Sequence, residues 1–267
     1  MKTFIVDSFT NRPFAGNPAG VCHVTTALAD ETMQQIAMEL GLSETAFVRP
    51  LPGDATLEIR YFSPKMEIPL CGHATLAAAK VWFAATNENT VHFVTGQNLA
   101  LKVERSGATM AMELPAYPTH AAEAPPALLE ALGLSSVLEC VFNEETRILM
   151  LVIEDPDEIA RLAPDFGALV RSHDGLNGVL ITAPSGGDGF DVHVRFFWPW
   201  SGTDEDPVTG GIQTFLAPYW AERLGKSTLR VVQSSARTGT MEVKVNANSV
   251  KVRGEAVIVF EGECVVA

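Results

Sequence analysis

The sequence has few basic residues and no closely spaced cysteines. It carries 19 lysines and arginines against 32 aspartates and glutamates, a formal net charge of −13. Nucleic acids and anionic membranes are bound by clustered basic surfaces, so this charge argues against both as partners. The four cysteines are scattered without a C-x-x-C pair, which argues against a disulfide framework and a structural zinc site. We therefore predict no metal.

Long apolar runs and phosphate-binding loops are also missing. The first nine residues alternate like a strand instead of forming a signal-peptide core, and no stretch is long enough to span a membrane. We expect a cytoplasmic protein. The motifs G-x-G-x-x-G, G-x-x-x-x-G-K-[ST] and G-x-S-x-G do not occur. Their absence favours chemistry without a cofactor on a small-molecule substrate.

Two stretches place glycines directly before an apolar helical run. Gly72 precedes a run at 74–83, and Gly210 and Gly211 precede a run that ends at 224. The first N–H groups of a helix have no intrahelical partner and favour anions, so each start could hold a substrate carboxylate. The repetition predicts two similar halves, each with a central helix, and a ligand site between them.

The remaining pattern predicts an α+β protein with mostly antiparallel sheets, because strands follow one another without regular βαβ alternation. We expect a helix at 29–40 that is capped by Asp30 and ends at Gly41. The tail from residue 229 predicts three antiparallel strands, and Pro218 predicts a kink in the second central helix. A proline-rich linker at 115–126 sets the domains at 1–116 and 117–267, with the final strands free to pack back on the N-terminal half.

Four side chains are candidates for chemistry, and each also has a structural interpretation. His73 lies at a glycine-led helix start, where it could donate to an anion or relay a proton, although a lone histidine is often structural. Glu44 is either a solvated turn residue or a general base in an apolar cleft. Residues 204–206 are typical of a solvated acidic turn, but Pro207 fixes the direction of Asp206. Cys71 is either buried structure or one thiol of a two-cysteine racemase, and the second glycine motif has no partner cysteine.

These motifs, in this order, resemble the phenazine-biosynthesis PhzF-like family. The matching segments are 6–9, 14–21, 43–48, 60–64 with Glu67, 71–75 and 205–210. The resemblance implies a diaminopimelate-epimerase-like fold, with two similar halves that each wrap a mostly antiparallel sheet around a central helix, and a homodimer. It also implies that Glu44 shuttles a proton between carbons of a substrate, which is a dihydro-hydroxyanthranilate in the best-known member.

The same resemblance implies roles for residues in both halves. His73 and Asp206 would hold polar groups of the substrate and assist the proton movement, while Gly72 and Gly210 would supply backbone donors. The family commonly continues the second motif as T-G-S-A-H, whereas residues 209–213 here are T-G-G-I-Q. Gly211 therefore lacks a serine hydroxyl in the predicted substrate-binding turn, and Gln213 replaces a histidine.

The sequence therefore predicts a cofactor-independent isomerase of the PhzF-like type. It would move a proton on a small carboxylated, cyclic or amino-acid-like metabolite, with Glu44 as general acid/base. Two alternatives stay open: a cysteine-dependent epimerase or racemase, and a small-ligand-binding protein that has lost turnover.

Overall fold

The computed structural model describes residues 1–53, 55–201 and 203–265. Its internal contacts divide the chain into two compact units, Met1–Glu113 with Lys251–Ala267, and Leu114–Val250. The boundary at 116/117 stays a prediction about domain organisation. No helix among the described residues is both long and apolar enough to cross a membrane.

Helices and strands follow one another closely along the described part of the chain. The first stretch contains β1 (Lys2–Ser8), β2 (Asn17–His23), α1 (Asp30–Leu40), β3 (Glu44–Pro50), β4 (Leu57–Phe62), β5 (Glu67–Ile68), α2 (Gly72–Ala85), β6 (Thr90–Thr95), β7 (Ala100–Ser106) and β8 (Thr109–Pro115). Next come β9 (His120–Ala121), α3 (Pro126–Leu132), β10 (Glu139–Asn143), β11 (Ile148–Val152), α4 (Pro156–Arg161), α5 (Phe166–Ser172), β12 (Gly178–Pro184) and β13 (Val192–Trp198). The chain continues with a 3₁₀ turn (Pro199–Ser201), β14 (Thr203–Asp206), α6 (Gln213–Leu224), β15 (Thr228–Gln233), β16 (Gly239–Val245), β17 (Ser249–Gly254) and β18 (Ala256–Glu263).

In the first unit a sheet surrounds α2. Strand β1 pairs antiparallel with β2 and β18, and β3 pairs antiparallel with β4. Two parallel pairs, β2 with β3 and β4 with β6, are each bridged by a helix, and β6, β7 and β8 form the predicted meander. Helix α2 contacts β1, β2, β3, β7 and β18, which explains why it is apolar on nearly every side. Helix α1 packs Met33, Ile36 and Ala37 against the strands.

The second unit repeats this order of pairings. Strands β10 and β11 are antiparallel, β11 and β12 parallel, β12 and β13 antiparallel, β13 and β15 parallel, and β15 and β16 antiparallel. Helix α6 contacts β15 and β16, and its Trp220 Nε1 donates to Thr182 Oγ1 on β12 at 3.0 Å. Helices α3, α4 and α5 contribute Leu132, Ile159 and Leu169 to a separate apolar core.

An arginine–glutamate pair recurs at the same place in each unit. Arg60 on β4 donates to both carboxylate oxygens of Glu67 at 2.8 and 2.6 Å, and Arg195 on β13 donates to both oxygens of Glu205 at 2.7 and 2.8 Å. In both units the glutamate lies on the short strand just before the glycine-led turn. The repeated pairings and this repeated ion pair confirm the predicted α+β class with two similar halves.

Several local predictions need correction. Asp30 is not the cap of α1: Ala29 is the N-cap residue, no side chain caps the helix, and Asp30 is the first helical residue. Gly41 does end that helix in the left-handed conformation, as predicted. The tail has four strands instead of three, and β15 is parallel to β13. Helix α5 was missed because its seven residues are too few for a clear periodicity.

Pro218 lies inside α6, where it lacks the N–H that would donate to the carbonyl of Thr214. The backbone N–H of Tyr117 donates to this carbonyl instead, at 2.8 Å. The proline therefore leaves no unpaired carbonyl, because a segment outside the helix supplies the donor. The kink itself stays a prediction.

Candidate active site

Glu44 and His73 form a buried pair in the first unit. Glu44 is the first residue of β3, and His73 is the second residue of α2. Glu44 Oε2 lies 3.2 Å from His73 Nε2, and each side chain is 7% exposed. A carboxylate and an imidazole in contact, largely removed from water, can exchange a proton with each other or with a bound molecule. The structure thus brings together two of the residues predicted from the sequence.

The other nitrogen of His73 contacts Asn17 and Cys71. Asn17 Nδ2 is 3.2 Å from His73 Nδ1, and Cys71 Sγ is 3.4 Å from the same nitrogen. An amide NH₂ can only donate, so Nδ1 accepts and the ring N–H lies on Nε2, the nitrogen that faces Glu44. Ser43 Oγ is 3.4 Å from Nε2. These contacts orient the ring so that its N–H is directed at the carboxylate.

The start of α2 provides backbone donors next to this pair. Cys71 is the N-cap residue, and no side chain caps the helix. The N–H groups of Gly72, His73 and Ala74 lie in the first turn, where no intrahelical acceptor exists. A Cβ on Gly72 would meet only Met112, at 3.8 Å, so protein packing does not require glycine there. The missing side chain leaves space for a ligand close to the backbone.

Two hydroxyl groups hold this turn in place. Ser8 Oγ donates to the carbonyl of His73 at 2.8 Å, and Thr75 Oγ1 donates to the carbonyl of Cys71 at 2.7 Å. Tyr61 then donates its hydroxyl to Thr75 Oγ1, and burial raises the pKa of Tyr61 well above its usual range, so this phenol stays protonated. The helix start is therefore fixed before any ligand arrives.

Three side chains with metal-ligating atoms lie close together here, although we predicted no metal from the sequence. One ligand atom each from Glu44, Cys71 and His73 lies within 4.8 Å of the others, and all three residues are buried. Cysteine, histidine and carboxylate are all ligands that zinc accepts in proteins.

Asp206 occupies a different environment in the second unit. It ends β14, is 6% exposed, and accepts a short hydrogen bond from the hydroxyl of Thr209. The interpretation of 204–206 as a solvated turn is wrong, because Thr203–Asp206 forms a strand against β13. Glu205 pairs with Arg195, and the two side chains are 18% and 11% exposed. Sequence alone missed the strand because three consecutive acids resemble a hydrated turn until their partners are known.

Gln233 on β15 holds the turn that follows Asp206. Its Nε2 donates to the carbonyl of Asp206 at 2.7 Å, and its Oε1 accepts from the N–H of Thr209 at 2.9 Å. Ser235 Oγ donates to the carbonyl of Pro207 at 2.7 Å. None of these contacts was predicted, because the partners lie more than 20 residues apart in the sequence.

The second glycine turn, at Gly210 and Gly211, leads directly into α6. The N–H of Gln213 donates to the carbonyl of Gly210, and that of Thr214 to the carbonyl of Gly211, at 3.2 and 3.3 Å. The helix begins at Gln213, so both glycines precede it as predicted. A Cβ on Gly211 would meet no atom within 4 Å, so the position of the family's serine is open space. The Gln213 side chain is fully buried, and neither amide atom has a partner within the described residues.

Sequence reasoning also missed Asn17, which is fully buried and orients His73. A signal was present: residues 10–20, which include Asn17, are dense in glycine, proline and asparagine and overlap the matched family segment 14–21. Nothing in that pattern showed that the asparagine reaches a histidine 56 positions later.

Comparisons with known proteins agree with this architecture. The family model described as phenazine biosynthesis-like protein (PhzC-PhzF) matches residues 6–262. A protein of Pseudomonas aeruginosa named as an uncharacterized isomerase is 43% identical over 266 residues, which cover 98% of each chain. A crystal structure of a PhzF family protein from Enterococcus faecalis superposes with a TM-score of 0.92 at 35% identity and covers 99% of both chains.

A more distant likeness concerns the fold alone. The crystal structure of a probable proline racemase from Agrobacterium radiobacter superposes with a TM-score of 0.65 at 8% identity, over all of this chain and 93% of that one. The family model that matches residues 6–262 and the 43% identity to the Pseudomonas aeruginosa protein lead to one conclusion: this chain belongs to the phenazine biosynthesis-like (PhzC-PhzF) family.

Proposed function

We propose that this protein is a cofactor-independent isomerase that moves a proton on a small carboxylated cyclic or amino-acid-like metabolite. The buried contact between Glu44 and His73 beside the start of α2 is the observation that carries the proposal. Glu44 acts as general acid/base, taking a proton from one carbon and returning it to another. The name of the Pseudomonas aeruginosa relative, an isomerase, supports this class of reaction.

In the proposed reaction the backbone binds the substrate and the side chains move the proton. The free N–H groups at the start of α2 hold a substrate carboxylate, which places the adjacent C–H bond near Glu44. His73 donates its Nε2–H to Glu44 at 3.2 Å and stabilises the carboxylate form that accepts the proton. Asn17 keeps that tautomer in place. No step needs a nucleotide or a flavin, in keeping with the absence of their binding motifs from the sequence.

A cysteine-dependent epimerase is the second candidate, because Cys71 Sγ lies 3.4 Å from His73 Nδ1. Such an enzyme needs a second thiol. The segment from Glu67 to Gly72 aligns with Glu205 to Gly210, and the counterpart of Cys71 is Thr209. The hydroxyl of Thr209 donates to Asp206 and is not a comparable base. The one-carboxylate mechanism is therefore favoured.

Measuring deuterium uptake from heavy water by NMR tests the proposal. Dihydro-hydroxyanthranilate and related cyclic amino acids serve as substrates for the wild type, Glu44→Gln and Cys71→Ser. We expect exchange to fall at least about 100-fold in Glu44→Gln, the scale of general acid/base catalysis, and to persist in Cys71→Ser. The matched control is Glu58→Gln, which removes a half-buried carboxylate on β4 that pairs with Arg49.

Loss of exchange in Cys71→Ser with retention in Glu44→Gln would instead establish the thiol mechanism. Ligand binding without exchange in any variant would support a protein that has lost turnover, for which Gly211 is the motivating feature. Asp206, Gly210 and Gly211 stay predicted site residues, and Asp206→Asn in the same assay tests the first. Cytoplasmic location and a homodimer also stay proposals, and light scattering after gel filtration tests the dimer.

A further inference from the structure

We propose that Phe14 contacts the substrate and selects acids that carry a ring over acyclic ones. This inference rests on the proposed function, because it adds a specificity-determining residue to the site that contains Glu44 and His73. The observations concern the 10–16 loop, the segment between β1 and β2. An exposed aromatic ring is attached there to a backbone that is strained and held by hydrogen bonds.

The stability of the fold does not explain a phenylalanine at position 14. Phe14 is 78% exposed, so its ring stays in contact with water and adds little to the apolar core. Its φ of 67° lies in the left-handed region, which disfavours residues with a Cβ and bulky ones most. Glycine would adopt this conformation without strain. Strained residues cluster at sites of function, which directs attention to what the ring contacts when a ligand is bound.

Contacts on both sides of Phe14 hold the loop in place. The N–H of Phe14 donates to Asp7 Oδ2 at 2.7 Å, and Asp7 is only 1% exposed. The N–H of Arg12 donates to Thr10 Oγ1, and that hydroxyl donates to the carbonyl of Arg12, both at 3.1 Å. Gly16 has a φ of 66° and packs so tightly that a Cβ would lie 2.1 Å from a carbonyl oxygen of β1. The ring is therefore presented from a fixed backbone.

The 10–16 loop leads directly into the candidate active site. Asn17, three residues after Phe14, lies 3.2 Å from His73 Nδ1. The carbonyl of the next residue, Pro18, accepts from Ser43 Oγ at 3.3 Å, and the same hydroxyl lies 3.4 Å from His73 Nε2. Three residues span at most about 11 Å, so the backbone of Phe14 lies within that distance of Asn17. Its ring is close enough to cover a molecule held at the start of α2.

A cation on the same loop indicates the charge of the ligand. Arg12 is exposed, and none of the described residues forms an ion pair with it. The net charge of −13 repels an anionic substrate at long range. An unpaired guanidinium near the site counters this repulsion locally and can bind a carboxylate. The loop thus offers an apolar ring and a cation, which together fit a ring-bearing carboxylate.

Calorimetric titration with 2-aminobenzoate and with 2-aminobutyrate tests the contact. Both probes carry a carboxylate and an amino group, and only the first has a ring. We expect Phe14→Ala to weaken 2-aminobenzoate binding about 3–10-fold, the scale of one aromatic contact, and to leave the affinity for 2-aminobutyrate unchanged. Phe14→Tyr should keep the wild-type affinity. Phe260→Ala is the matched control, because it removes a phenylalanine that is 52% exposed on β18 and should change neither affinity.

Arg12→Gln tests the role of the charge. We expect it to weaken 2-aminobenzoate binding about 2–5-fold at low salt, the scale of one exposed ion pair. The difference from the wild type should shrink at about 0.5 M salt, because mobile ions screen exposed charges. Arg171→Gln, on an exposed residue of α5, changes the net charge equally and should not weaken binding in this way.

Circular dichroism and light scattering establish that each variant keeps the fold and the oligomeric state of the wild type. Equal affinity of the wild type and Phe14→Ala for 2-aminobenzoate would overturn the contact, as would a wild type that does not bind this probe. A Phe14→Ala protein that dissociates without losing affinity would assign the ring to a contact between copies of the chain and overturn the inference.

The heavy-water exchange assay separates this inference from the proposed function. An affinity that depends on Phe14, in a wild type that exchanges no proton, would keep the contact and refute the isomerase. Exchange that depends on Glu44, with an affinity that does not depend on Phe14, would keep the isomerase and overturn the contact.

Discussion

Gln213 and Gln233 are both fully buried glutamines in the second unit, but only the side chain of Gln233 has hydrogen-bond partners among the described residues. Neither amide atom of Gln213 has a partner within the described residues. Gln233 makes three bonds, two donated by its Nε2 to Asp206 O and Thr209 Oγ1 and one accepted by its Oε1 from Thr209 N. Replacing each by methionine, which has a similar length, should therefore change stability in opposite directions.

The magnitudes follow from the cost of a buried unsatisfied group, about 1–3 kcal/mol. Gln213→Met removes such a group, and a shape mismatch of up to about 1.5 kcal/mol opposes the gain. We expect a net stabilisation of about 1 kcal/mol, or a Tm rise of about 2–4 °C. Gln233→Met removes the bonds to the carbonyl of Asp206 and to the N–H and hydroxyl of Thr209, so it should destabilise by about 2–4 kcal/mol, at about 0.5–1.5 kcal/mol for each bond.

Urea unfolding followed by tryptophan fluorescence measures both effects. Three of the four tryptophans, Trp198, Trp200 and Trp220, lie in the second unit and report on the region around both glutamines. If Gln213→Met destabilises as strongly as Gln233→Met, the reasoning is refuted, because Gln213 must then have a bonding partner such as an ordered water. A Gln213→Leu variant that behaves like Gln213→Met excludes a special effect of sulfur.

Three further predictions concern other parts of the chain. Burial raises the pKa of the Cys22 thiol to about 12 from 9.0, so only the unfolded chain ionises between these values. Stability should fall as pH rises from about 9 towards 12, and urea midpoints for Cys22→Ala should show a flatter dependence. Glu205→Gln removes the carboxylate that balances the charge of Arg195, a poorly exposed arginine that keeps only its bonds to the carbonyls of Ile159 and Leu162, and should cost about 3 kcal/mol. Glu261→Gln, in an exposed pair, should stay within about 0.5 kcal/mol by thermal unfolding. Gly211→Ala fills open space, so calorimetric titration should show weaker ligand binding while Tm stays within about 2 °C, and a Tm loss of about 5 °C would contradict the open turn.

Local chemistry explains which parts of the fold were predictable. Strand β4 and the start of α2 were found because alternation and a glycine turn mark them within a few residues. The parallel pairing of β2 with β3 is set by contacts across a whole helix, which no local pattern records. Sequence therefore predicted an α+β protein with two central helices but mostly missed the parallel pairs.

The candidate site was predictable in composition but not in arrangement. Glu44, His73 and Asp206 were named because motifs and a family resemblance mark them. Asn17 and Gln233 were not, since an amide becomes informative only when its partner is known. The difference between Gln213 and Gln233 has the same origin: residue type is identical, and only the surroundings decide whether the amide is satisfied.

The first unit is built from two separate stretches of the chain, one at each end, and this has a consequence for its synthesis. Strand β1 pairs with β18 from Lys2 opposite Glu263 to Ser8 opposite Ala256. One edge of β1 therefore has no β18 to pair with until the end of the chain has been synthesised. The second unit, Leu114–Val250, is continuous. During translation the second unit can complete its contacts while β1 still exposes an open strand edge, and unpaired edges invite association with other chains. A ribosome that stalls near residue 250 would therefore release a protein with one finished unit and one aggregation-prone strand.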